Sequence, residues 1–186
     1  MKLATLVAAL TPFIVSASCV SLGGAPDAVN SLTALPPGPI PMTPLDMDPF
    51  KPMGKFLVQR CGTLDCHGSV GRNLRLYGAH GLRLGDGADP TGAITTDDEY
   101  EADYESIIGL EPELMSEVFA QGGANPALLT FYRKPTAIEH HKGGQVIFPG
   151  DASNPPDDQS NCITSWLAGA IDTTACAAAA DTTLYP

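Results

Sequence analysis

The stretch "GKFLVQRCGTLDCHGS", residues 54–69, decides how the rest of the chain is read. A histidine follows the second of two cysteines directly, and Gly62-Thr63-Leu64-Asp65 separate the two sulfurs. Three chemistries share this pattern: a haem attachment site of unusual width, a small disulfide loop with an incidental histidine, or a metal clip. Choosing among them depends first on the compartment in which the cysteines reside.

The chain opens "MKLATLVAALTPFIVSASCVSLGG", with one lysine, an apolar run from Leu3 to about Val15, and small residues ending at Cys19. The run is too short to span a bilayer and fits a secretory signal over residues 1–18. Ser16-Ala17-Ser18-Cys19 is close to a bacterial lipoprotein cleavage box, in which Cys19 is acylated and becomes the mature N-terminus; an ordinary signal peptide cut near Cys19 is the alternative. The expected location is therefore outside the cytoplasm, periplasmic or at the cell surface, with a lipid anchor in a bacterial membrane. Residues 19–47 are dense in Pro, Gly, Ala and Asp and read as a flexible tether, leaving residues 48–186 as one domain.

Exported thiols end as disulfides, metal ligands or thioethers. If Cys19 carries lipid, an even set remains: Cys61, Cys66, Cys162 and Cys176. The formal charge of −11 disfavours nucleic acid as a partner and favours a basic protein surface through electrostatic steering.

In "DPFKPMGKFLVQRC" (48–61), Asp48 is placed to cap a helix with Pro49 in its first turn, and Phe50, Met53 and Leu57 fall on one face. Gly54 lies beside that face. A glycine there costs up to about 1 kcal/mol of helix propensity, which suggests close passage of another helix. The helix then runs straight into the cysteine pair and its histidine.

From Gly54 to Gly68 the sequence resembles the start of a class I c-type cytochrome domain, here on a bacterial lipoprotein-type chain. The family usually has two residues between the cysteines, where this chain has four. The resemblance implies a mostly α, cytochrome c-like helical domain with a short β-hairpin and long loops. It also implies one covalent haem c, joined by thioethers to Cys61 and Cys66, with His67 as the proximal iron ligand. Cys66-His67 keeps the junction that turns the imidazole under the iron, whereas Cys61 only has to reach the other vinyl group. The two extra residues are expected to bulge outward, with Gly62 giving the backbone freedom to do so.

A second axial ligand is sought between this motif and the last helix. In "KPTAIEHHKGGQVIFPGD" (134–151), His141 is the preferred candidate, because "HKGG" resembles a histidine-x-glycine-glycine found before the last helix in some bacterial cytochrome-like domains. Gly143-Gly144 would let the backbone approach a flat macrocycle. His140, His80, Met115 and an open site are the alternatives. His80 is expected at the exposed tip of a hairpin in "NLRLYGAHGLRLG" (73–85). Met115 shares a helical face with Leu114, Val118 and Phe119, which reads first as core packing.

The remainder reads as scaffold. Thr96 should cap an acidic helix with Tyr100, Tyr104, Ile107 and Ile108 on one side. Its acids lack the spacing of a calcium loop. Arg72, Arg75 and Arg83 suit either haem propionates or neighbouring carboxylates. A last helix carries Ile163, Trp166 and Leu167 and closes at Gly169. In class I cytochromes an aromatic on the last helix packs over a glycine of the first, which would set Trp166 over Gly54. Cys162 and Cys176 are expected to be paired, closing a loop of about 15 residues worth about 3 kcal/mol in the chain-entropy model. The function so implied is electron transfer, in contact with a redox protein partner that has a basic docking surface. The reading from another class is a non-redox lipoprotein stapled by two disulfides and acting as a binding or structural module.

Overall fold

The computed structural model describes residues 47–85, 92 and 94–181. The expected signal, the Cys19 lipid site and almost all of the tether lie outside those residues. Among the described residues no helix is long and apolar enough to cross a membrane. They form a mostly helical fold: α1 (Lys51–Cys61), α2 (Asp97–Ile108), α3 (Pro112–Ala120), a short 3-10 turn (Pro126–Leu128), α4 (Thr130–Arg133), α5 (Asp158–Leu167) and α6 (Thr173–Ala180).

The first helix begins later than its sequence suggests. Pro52 occupies its first turn, Phe50 is the flanking residue, and no side chain caps it. Asp48 stays exposed and instead approaches Lys51 at 3.6 Å. The reason is that Met47, through its carbonyl, takes the amides of Phe50 and Lys51, so the chain already turns before Lys51. The expected face is kept, with Phe50, Met53 and Leu57 all buried.

Helix α2 starts as expected. Thr96 accepts from the Glu99 amide while Glu99 accepts from the Thr96 amide, a reciprocal cap. Tyr104 and Ile107 are buried, and Tyr100 and Ile108 pack against the core. Two of its acids face inward, because Glu99 and Asp103 are fully buried. Arg83 reaches Glu99 with Nε at 2.7 Å and Nη2 at 3.2 Å, which assigns this arginine to a buried carboxylate. Burial pushes the Glu99 carboxyl up, but the bonds from Arg83 and from the Thr96 and Leu84 amides outweigh it and hold it below the usual carboxylate range.

Trp166 on α5 meets Phe119 at 5.0 Å, Phe50 at 5.8 Å and Tyr104 at 6.5 Å between ring centres, all edge-on. It therefore joins α1, α2, α3 and α5, but it does not cover Gly54. A side chain at Gly54 would meet Tyr100 and Phe50 at 2.9 Å, so the glycine admits α2 where the sequence suggested the tryptophan helix. The tail carrying Cys176 is also helical. Asp172 caps α6 by accepting from Thr174 and Ala175, and the Cys162–Cys176 disulfide ties α6 to α5.

The expected hairpin over 73–85 is reduced to one isolated bridge between Tyr77 and Leu82, and no strand occurs among the described residues. Its donors are engaged elsewhere. The Leu76 amide donates to the His67 carbonyl, Arg75 to Ser106 Oγ, and Tyr77 to Asp103 Oδ1. The segment is thus stitched to the cysteine-histidine loop on one side and to α2 on the other.

Candidate functional site: a pair of parallel histidines

Helix α1 delivers Cys61 at its last residue, and the Gly62 amide closes the helix on the Val58 carbonyl. The chain makes a short excursion and returns, with the His67 amide donating to the Cys61 carbonyl at 2.8 Å. Inside the excursion the Thr63 carbonyl accepts from both Cys66 and Gly68. Leu64, Asp65 and Cys66 are exposed, so the widening does bulge outward. Arg72 holds the bulge from outside, donating from Nε to the Cys66 carbonyl and from Nη2 to the Asp65 carbonyl, both at 2.9 Å. Behind it three glycines meet: a methyl at Gly68 or Gly81 would overlap the Gly62 carbonyl.

Cys61 and Cys66 are both free thiols. Cys61 keeps some exposed surface, yet burial, helped by Cys66 and opposed by Arg60, pushes its thiol up to about 12. It is protonated at neutral pH and is a poor spontaneous nucleophile.

The second loop is pinned by ion pairs and backbone bonds. Arg133 and Lys134 hold Glu139 at 3.2 and 2.7 Å, and the Pro135 carbonyl accepts from both Val146 and Ile147. Ala137 sits at φ 61°, a left-handed conformation that reverses the chain ahead of Ile138. Gly144, at φ 73°, closes a turn in which its amide donates to the His141 carbonyl. In return, the Gly144 carbonyl accepts from His141 Nδ1 at 2.9 Å, and a side chain at Gly143 would press on the same ring.

These two loops bring the His67 and His141 rings to 6.3 Å between centres, with planes only 12° apart. The His67 ring is held like its counterpart, its Nδ1–H donating to the Leu74 carbonyl at 3.1 Å. A carbonyl can only accept, so each ring carries a proton on Nδ1, and in the neutral tautomer it is Nε2 that has the lone pair. Burial, with smaller contributions from His141 and Arg72, holds His67 below the ordinary imidazole value against the opposing Leu74 bond; it is therefore neutral and able to ligate. Two metal–imidazole bonds of about 2.0 Å, with about 1.1 Å from each nitrogen to its ring centre, set ring centres about 6.2 Å apart across one metal. The observed spacing matches that length, and the near-parallel planes are those of two stacked rings. Among the described residues no three His, Cys, Asp or Glu side chains gather as a metal cluster.

The other candidates differ in burial. His80 and His140 are exposed, the latter with its carbonyl accepting from Lys134. Met115 is buried in the core cluster with Val118 and Phe119. Arg75 donates to the Arg72 carbonyl and extends the arginine brace. Comparisons of the chain with protein-family models, with characterised proteins and with solved structures give no match.

Proposed function

We propose that the domain is a monohaem c-type cytochrome that transfers electrons, with haem attached through Cys61 and Cys66 and held axially by His67 and His141. The observation that carries this reading is the pair of parallel imidazoles 6.3 Å apart, each with Nδ1 tied to a carbonyl. One ring follows directly on a free cysteine pair, as the attachment chemistry requires. When bound, the haem supplies one-electron redox chemistry; the chain supplies ligands, orientation and charge. The Leu74 and Gly144 carbonyls fix both ring orientations and raise ligand basicity, which favours ferric iron and a low potential relative to histidine/methionine ligation. Export through residues 1–18 and a lipid at Cys19 complete the proposal, placing the domain in the periplasm or at the cell surface.

Protein produced with cytochrome c maturation factors tests it. A c-type Soret band, a sharp reduced α-band, haem staining after denaturation and a mass gain of one haem are expected. An unmodified mass with a Cys61–Cys66 disulfide would support the non-redox, disulfide-stapled module instead.

A further inference from the structure

The two sulfurs of the motif are held very differently. Cys61 ends helix α1 and packs against the hydrophobic core, whereas Cys66 stands exposed in the bulge that the four-residue spacer creates. Its amide donates to the Thr63 carbonyl, which lies in the same bulge. The backbone at the second sulfur is therefore fixed neither by the helix nor by the core.

Arg72 supplies what they do not. Its Nη2 donates to the Asp65 carbonyl, in the peptide unit that precedes Cys66, and its Nε donates to the Cys66 carbonyl, in the peptide unit that leads to His67. Both bonds are 2.9 Å long. Two planar peptide units held in place set the two soft dihedrals of the residue between them, so this fork fixes the direction in which the Cys66 side chain leaves the backbone. A planar guanidinium presents such a fork, and a lysine ammonium does not. The fork is itself rooted. The Arg72 amide donates to the Ser69 carbonyl at 3.2 Å, the Arg72 carbonyl accepts from Arg75 Nε at 3.3 Å, and the Arg75 amide donates to Ser106 Oγ on α2 at 2.9 Å.

We propose that Arg72 is the positioning residue that lets the widened motif attach haem through both cysteines, by holding Cys66 Sγ in register with its vinyl group. The proposal rests on the reading of Cys61 and Cys66 as haem-attachment sites. At each site the Sγ–H adds across one vinyl C=C: sulfur bonds to one carbon, the thiol hydrogen ends on the other, and nothing is oxidised or reduced overall. Arg72 takes no part in that addition. It governs where one sulfur stands, so its loss is felt at Cys66 and not at Cys61.

The test is mass-resolved peptide mapping of parent and variant proteins made with cytochrome c maturation factors, with circular dichroism and the unreduced Cys162–Cys176 peptide reporting the fold. Arg72→Gln should leave Cys61 attached and lower the ratio of doubly to singly attached haem about tenfold, the effect of losing one hydrogen bond to a charged group. The pyridine haemochrome α-band should move to longer wavelength, because one vinyl stays unsaturated. Arg72→Lys keeps the charge without the fork and should share the defect; full attachment in that variant would overturn the proposal in favour of a charge effect, such as pairing with haem propionates. Deleting Leu64 and Asp65 restores a two-residue spacer, and in that background Arg72→Gln should be silent. An equal defect in both backgrounds, or loss of helical structure in Arg72→Gln, would make Arg72 a general support of the fold and overturn the proposal. Full double attachment in Arg72→Gln overturns it alone, whereas a parent protein without haem rejects the attachment reading and this proposal with it.

Discussion

His67 and His141 are aligned by groups that have no residue identity of their own, the carbonyls of Leu74 and Gly144. Under this account His141→Ala retains covalent haem but turns the ferric iron from low-spin to high-spin, whereas His140→Ala and His80→Ala leave the spectrum unchanged; visible absorption of the three variants checks this. Gly68 makes a separate prediction. Its hydrogen faces the Gly62 carbonyl with no room for a methyl, so Gly68→Ala should cost about 1–3 kcal/mol in urea denaturation, as overpacking does. That His141 comes beside the cysteine-histidine junction was legible in the sequence, because both stretches carry residue types with specific chemistry. The Arg72 brace was not, since an arginine seeking backbone carbonyls looks the same as one seeking a carboxylate. Gly143-Gly144 was noticed for close approach to a ring, and in the fold it serves the His141 turn itself.

Between elements, the unexpected feature is Asp103. It is fully buried on α2, accepts from the Tyr77 amide at 2.6 Å, and leaves Oδ2 without a partner. Burial pushes its carboxyl up to about 8, against the Tyr77 bond and with help from Glu99. An unfolded aspartate titrates near about 3.9, so the folded chain retains a proton that the unfolded chain releases. The contribution to stability is complete below about pH 4 and is lost as pH rises through about 8. Asp103→Asn, which keeps an oxygen for Tyr77, should flatten this slope, raising Tm relative to the parent more at pH 8 than at pH 5; parallel pH profiles would contradict it. The α2 cap was readable from Thr96 and Glu99 because a capping box is local. The loss of the hairpin was not, because alternating residues at 73–84 indicate extended chain but not which distant acceptor takes each amide. Gly54 was likewise read correctly as a close approach but matched to the wrong helix, since a glycine signals space and not its occupant.

Across the molecule, one aromatic cluster and one covalent link hold the helices around the site. Trp166→Ala should cost about 3–5 kcal/mol, because the indole contacts Phe50, Tyr104 and Phe119 at once. Reducing the Cys162–Cys176 bond should lower stability by about 3 kcal/mol, measured by thermal unfolding of a Cys162→Ala/Cys176→Ala variant. Both losses fall on α5 and α6 and leave the Cys61–His67 loop chemically intact. The central claim is that His67 and His141 bind one iron, and electron paramagnetic resonance of the ferric protein at low temperature tests it most directly. Ring planes 12° apart predict a rhombic low-spin signal, the pattern of near-parallel imidazoles, which is replaced by a high-spin signal in His141→Ala. A high-spin signal in the parent protein, or a low-spin signal that survives His141→Ala unchanged, would contradict it.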